Sequence, residues 1–212
     1  MARASVERLG VLCSGRGTDL QSIIDAIGAG QIDAEIAVVL SDKPGAMALD
    51  RAARAGIHSV CVDWSGFGGD RAAFEEALLS ELRSAGVTLV ILAGFMRILT
   101  AHFVRVYPSR IMNIHPALLP SFPGAHAHRD ALAHGVKVSG CTVHFVDEGM
   151  DSGPIILQAA VPVEDDDTEE TLAARVLEQE HILYPRAIRL FTEGRLAVEG
   201  RRVRILPLRG RL

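Results

Sequence analysis

In the segment RIMNIHPALLPSFPGAHAHRDAL, Asn113 and His115 close a short apolar run just ahead of a proline-rich loop. Two positions apart on an extended strand, their side chains project to the same face. A carboxamide can donate to an oxyanion and an imidazole can move a proton near neutral pH, so the pair suits acyl transfer. Asp151, in the glycine-flanked loop VDEGMDSGPI, completes an amine-acylating site if the chain brings its carboxylate to His115. His144, on another strand-like run, is a further candidate.

A second constellation is SGRGTDL, between the first predicted strand and the first predicted helix. Gly15, Arg16, Gly17, Thr18 and Asp19 put small residues and a helix start where backbone N–H groups can hold a phosphate. The pattern is G-x-G, but Leu20 stands where a dinucleotide fingerprint has its third glycine. Asp42, after the second strand, is spaced like a ribose-binding carboxylate, which keeps a nicotinamide-dependent enzyme as a rival. Histidines permit a metal reading as well, with His126 and His128 joined by His115, His144 or Asp151. A short helix beginning near His126 would turn that pair in different directions, so no metal is expected.

The elements that must position these groups follow from composition and periodicity. With 212 residues, 49% of them apolar, the chain can build one substantial core, and a single domain over 1–212 is expected. The net charge of -4 and the scatter of the 22 basic residues argue against nucleic acid as a partner. No apolar run approaches a bilayer span, and MARASVERLG lacks a signal-like apolar core, so no membrane association and a cytoplasmic location are expected. Cys13, Cys61 and Cys141 each sit in an apolar run and are expected to be buried free thiols.

The first half alternates strands and helices: LGVLC, a helix with Leu20, Ile23, Ile24 and Ile27 on one face, AEIAVVL, ALDRAARAG, HSVCVDW, DRAAFEEALLSELRSAG and VTLVILAG. Continuous apolar strands interleaved with helices predict an α/β fold, a doubly wound and mostly parallel Rossmann-like sheet with ligands at the strands' carboxyl ends. In the second half RIMNIH reads as a strand, AHRDALAHG as a short helix, and VSGCTVHFV and PIILQAAVPV as antiparallel strands, because their connection is too short for a crossover. EDDDTEE opens a helix from about Thr168, which Pro185 is expected to kink or interrupt near Tyr184. LAVEGRRVRIL reads as a hairpin turning at Glu199 and Gly200.

From about Gly10 to about Phe191 the chain resembles the phosphoribosylglycinamide formyltransferases of purine biosynthesis, which use 10-formyltetrahydrofolate. The resemblance runs through VLCSGRGTDLQSIIDAI, SDKPGAMALDRAARAGI, LAGFMRILT, NIHPALLPSFPGAHAHRDAL, GCTVHFVDEGMDSGPIILQAAVPV and RVLEQEHILYP. NIHP with LLP is common to several folate-dependent formyltransferases, whereas PGAHAHRDAL resembles the glycinamide enzymes. The methionyl-tRNA formyltransferases differ after LLP and carry an additional C-terminal domain. The formyltetrahydrofolate hydrolases carry an N-terminal regulatory domain, while the first strand here starts almost at once; they remain the alternative.

The resemblance implies a formyltransferase fold and attack of the amine of glycinamide ribonucleotide on the formyl carbon of the folate co-substrate. Asn113 and His115 would serve the oxyanion and the proton. Asp151 would orient His115, favour its protonated form and help pass the proton from the amine to the leaving folate nitrogen, with His144 as a neighbour. The phosphate would lie on Gly15, Arg16, Gly17, Thr18 and Asp19, and Glu180 would face the amine side of the substrate. Arg71, Phe95, Met96, Arg97, Ile98 and Leu99, with Asp147, Glu148, Gly149, Met150 and Asp151, would hold the folate, the two arginines meeting its glutamate tail. Partners would be these small molecules, with a homodimer left open. At Asp19 the family usually carries asparagine; a carboxylate cannot donate to a phosphate, so Asp19 is expected to cap the helix while the backbone of Gly17 and Thr18 and the Arg16 side chain hold the anion.

Overall fold

The structure, a computed structural model, describes residues 6–208. They divide into two compact units between Met112 and Asn113.

In the first unit β1 (Glu7–Cys13), α1 (Thr18–Gly28), β2 (Ala34–Ser41), α2 (Met47–Arg54), β3 (Ser59–Cys61), α3 (Arg71–Ser84) and β4 (Leu89–Leu92) alternate as the periodicity predicts. The strands lie in the order β3-β2-β1-β4. β1 runs parallel to β2, with Val11 opposite Val39, and parallel to β4, with Val11 opposite Ile91. Leu9, Val11, Leu12 and all of β4 are buried, the signature of parallel strands covered on both faces. The third strand is shorter than HSVCVDW. After Cys61 the Asp63 carboxylate accepts from Ser65 N at 2.9 Å and caps a 3-10 turn over Trp64–Phe67, a local bond that competes with the strand. Cys61, on this short strand, is exposed, which corrects the expectation of three buried thiols; Cys13 and Cys141 are buried. A helix that periodicity did not reveal, α4 (Ala101–Val106), starts at Thr100, whose side chain accepts from Phe103 N.

β5 (Ile111–His115) contains the division between the units. In the second unit the order is β5-β6-β7-β9-β8. β6 (Val138–Phe145) and β7 (Ile155–Pro162) are antiparallel as predicted, with Thr142 opposite Gln158 and a register shift between Val143 and His144. β8 (Leu196–Glu199) and β9 (Arg202–Ile205) form the expected hairpin, in which Gly200 takes a φ of +61°. Two helices complete the unit, α5 (Ala127–Ala133) and α6 (Glu169–Thr192). Thr168 and Thr171 cap α6 reciprocally, and Asp167 binds the Arg175 guanidinium through both carboxylate oxygens at 2.6 and 2.8 Å. Contrary to expectation, α6 is not interrupted near Tyr184 but continues through Pro185 to Thr192. Burial of Leu183, Tyr184, Ala187 and Ile188 on either side outweighs the one backbone bond that proline forgoes. No helix among the described residues is long and apolar enough to cross a membrane.

Candidate active site

His115 ends β5 and is buried, as is His144 on β6. Each ring has one nitrogen tied to a backbone carbonyl: His115 Nε2 lies 2.8 Å from Phe122 O, and His144 Nδ1 lies 2.9 Å from Phe145 O. A carbonyl only accepts, so these nitrogens carry protons and the tautomers follow. His144 Nε2 is then a lone pair, and it accepts from the Asn113 amide Nδ2 at 3.2 Å, which fixes the direction of that carboxamide. Burial holds the His144 imidazole below its ordinary range, outweighing the Phe145 carbonyl and the Asp151 charge, which pull the other way. The remaining nitrogen of His115, Nδ1, lies 3.4 Å from Asp151 Oδ2, and His144 Nε2 lies 3.8 Å from Asp151 Oδ1. Asn113, His115, His144 and Asp151 therefore converge within this unit.

Asp151 adopts φ +50°, a left-handed conformation that costs a residue with a side chain, though Asp tolerates it better than most. Its Oδ2 accepts from Gly124 N at 2.8 Å. Preceding it, Asp147 Oδ1 accepts from Gly149 N at 3.1 Å and from Ser152 Oγ at 2.7 Å, while Glu148, Gly149 and Met150 are exposed. A Cβ on Gly153 would stand 1.8 Å from Phe145 O, so only glycine lets the loop close against β6.

The proline-rich loop after His115 is fastened by two residues that the motif reading did not single out. Buried Thr142 donates to Ala117 O at 2.6 Å and accepts from Leu119 N at 3.0 Å and Gln158 Nε2 at 2.9 Å; Gln158 Nε2 also reaches Leu119 O at 2.9 Å. The signal was present in β6, where alternation puts Thr142 on the face of His144. Glu180 is buried on α6. His126 stands at the N-terminus of α5 and is exposed, and His128 is half-buried and held below its ordinary range by burial. Among the described residues no group of three or more His, Cys, Asp or Glu side chains is arranged to hold a metal ion.

In the first unit Gly17 occupies the N-cap of α1 with φ +68°, and a Cβ there would meet Ala48 Cα and Cβ at 2.8 Å. Gly15 and Arg16 are exposed and Thr18 is the first helical residue. Gly17 thus holds the N-cap position, with Asp19 in the first turn of the helix. Asp19 is buried one position further in, where its charge reinforces the burial that pushes the Cys13 thiol up to about 12. In the segment after β4, Phe95 and Leu99 are buried while Met96 and Ile98 are exposed. Met96 N donates to Ser14 Oγ at 2.9 Å, and Arg71 Nη1 donates to Ile98 O at 3.4 Å. The Arg97 guanidinium is engaged: its Nε lies 2.6 Å from Oδ2 of buried Asp42, and its centre lies 4.3 Å from the Trp64 ring centroid. Asp42 is therefore bound to Arg97, which removes the ground for reading it as a ribose ligand.

Residues 7–188 match the model of the formyl transferase family, and the chain belongs to that family. Among its relatives is the phosphoribosylglycinamide formyltransferase of Escherichia coli (strain K12), 46% identical over 186 residues that span 88% of this chain and 87% of that protein. The trifunctional purine biosynthetic protein adenosine-3 of Drosophila melanogaster is 47% identical over 190 residues; the match takes in 89% of this chain but only 14% of that much longer protein. Among solved structures, glycinamide ribonucleotide transformylase 1 from Symbiobacterium toebii superposes with a TM-score of 0.94 at 53% identity over 98% of both chains. A formyltetrahydrofolate deformylase from Pseudomonas syringae pv. tomato superposes with a TM-score of 0.90 but at 26% identity, over 96% of this chain and 67% of that one.

Proposed function

We propose that this chain is a phosphoribosylglycinamide formyltransferase that moves the formyl group of 10-formyltetrahydrofolate to the primary amine of 5-phosphoribosylglycinamide, and that 1–212 works as one formyltransferase domain. The observation that carries the reading is one cluster: His144 Nε2 accepts from the Asn113 amide and lies 3.8 Å from Asp151 Oδ1, and His115, with Nε2 on Phe122 O, turns Nδ1 to Asp151 Oδ2 at 3.4 Å. The family match across residues 7–188, which takes in both units, supports treating them as one domain.

In this reading the amine nitrogen attacks the formyl carbon and the carbonyl electron pair moves to oxygen. The Asn113 amide N–H not used by His144 donates to that oxyanion. Asp151 takes the proton released by the amine and shares it with His115 Nδ1. Collapse of the intermediate breaks the carbon–nitrogen bond to the folate, whose departing nitrogen takes the proton. None of these steps requires a metal. For the nucleotide, the first unit offers the backbone of Gly15, Arg16, Gly17 and Thr18 to the phosphate, and the second unit offers Glu180 to the amine side. For the folate, the first unit offers exposed Met96 and Ile98 with buried Phe95 and Leu99, and the second unit offers the Asp147–Asp151 loop. Arg71 meets the glutamate tail, while Arg97, committed to Asp42, holds the segment in place. These are small-molecule reactants, and the reaction is assigned to the cytoplasm.

The test is to incubate the protein with 10-formyltetrahydrofolate with and without the nucleotide. Formyl transfer should occur only with the nucleotide, and Asp151→Asn should slow it by about 10²- to 10⁴-fold with the fold retained. Formate release without the nucleotide would overturn the reading in favour of a hydrolase, and an Asp151→Asn variant at full rate would overturn the site.

A further inference from the structure

The C-terminal hairpin lies beyond residue 188, where the family match ends, and nothing so far gives it a task. One face of it reaches the loop that carries Asp151. β9 joins β7 through the pair Ile155 and Arg202, and the preceding residue, Arg201, donates from Nη2 to Ser152 O at 3.1 Å. Ser152 is the neighbour of Asp151 and is held a second time through its hydroxyl, which donates to Asp147 Oδ1 at 2.7 Å. Asp151 itself keeps φ +50°, an unfavourable conformation that persists only where the flanking peptide is held on several sides. The flanking carbonyl on its C-terminal side is held by Arg201.

We propose that Arg201 is a positioning residue for Asp151: the hairpin is a strut that clamps the Ser152 carbonyl and so keeps the Asp151 carboxylate turned toward His115 and Gly124. The proposal rests on the formyl-transfer reading for its kinetic consequence but not for its structural one. Arg201 is exposed and touches no substrate-facing group, so its loss should leave folding intact. A guanidinium-to-carbonyl bond at a partly solvated site corresponds to about a five- to tenfold change in an equilibrium.

Arg201→Ala and Arg201→Lys test it, the lysine retaining one donor able to reach the carbonyl. Amide hydrogen exchange reads the clamp without any reaction: Gly124 N–H, protected by Asp151 Oδ2, and Gly149 N–H, protected by Asp147 Oδ1, should exchange about five- to tenfold faster in Arg201→Ala and near the wild-type rate in Arg201→Lys. In steady-state formyl transfer kcat should fall by about the same factor in Arg201→Ala, with KM for the nucleotide unchanged and with recovery in Arg201→Lys. Wild-type exchange at Gly124 in Arg201→Ala would overturn the proposal, as would faster exchange with an unchanged kcat. A wild-type protein that transfers no formyl group would instead refute the functional reading and leave the exchange result to judge the strut.

Discussion

Replacing Thr142 by valine tests how the loop after His115 is held. The exchange is nearly isosteric and removes one hydroxyl from a fully buried site, where it makes three hydrogen bonds to Ala117 O, Leu119 N and Gln158 Nε2. Gln158 keeps its bond to Leu119 O at 2.9 Å, so its amide is not abandoned. Ala117 O and Leu119 N lose their partner, and each buried polar group left unpaired costs about 1–3 kcal/mol. Leu119 N also lies 3.2 Å from Ala117 O, a close i, i+2 contact that softens the loss. The net destabilisation should therefore be about 2 kcal/mol rather than the full sum, equivalent to a fall in Tm of about 4–8 °C for a chain of this size. Urea unfolding should show a lower midpoint at unchanged slope, and Thr142→Ser should recover most of it. Because Phe122 O, at the end of the same loop, fixes the His115 ring, formyl transfer should fall more steeply in the valine variant than in the serine one. A valine variant within about 0.5 kcal/mol of wild type would refute the reasoning, since surface-like substitutions fall in that range.

Two further outcomes follow from geometry elsewhere. Gly17→Ala should destabilise by about 2–4 kcal/mol, because the left-handed φ and the 2.8 Å approach of Ala48 both exclude a side chain, whereas Gly15→Ala, with nothing within 4 Å, should change the urea midpoint by under about 0.5 kcal/mol. His144 and His128 are both held below the ordinary 6.5 by burial, so the unfolded chain takes up protons on acidification before the folded one does. Stability present above pH 6.5 should thus decline as pH falls below it, and His144→Gln should flatten part of that decline in urea midpoints taken across the range; an unchanged slope would contradict the burial argument.

The parallel strands were legible because each is an apolar run wedged between helical periodicities, and the β6–β7 pairing because the connection is too short to cross over. What stayed hidden was settled by side-chain bonds across long sequence separations or by very short elements. Thr142 and Ala117 stand 25 positions apart, and nothing local marks the threonine as more than a strand residue. The six residues of α4 carry too little periodicity to be seen. The interruption expected at Pro185 does not occur because tertiary burial on either side of it outweighs proline's local cost. For the site, the residue types and their order were readable; the tautomers were not, since they depend on which carbonyls fold against the rings.

Those carbonyls have the larger consequence. Phe122 O and Phe145 O each occupy one nitrogen of a buried imidazole; at His144 the other nitrogen takes the Asn113 amide, so it is His115 Nδ1, 3.4 Å from Asp151 Oδ2, that is left to exchange a proton with the carboxylate. In the proposed reading the proton therefore passes between Asp151 and His115 Nδ1. Burial favours the neutral form of His144, whose Nε2 accepts from the Asn113 amide, and in the proposed reading the second amide N–H is left to donate to the oxyanion. The arrangement therefore concentrates its sensitivity on one strained residue. A displacement of Asp151 would break the proposed proton path at His115, and its loop is tied at Asp147, Ser152 and Gly124 although most of its surface faces solvent.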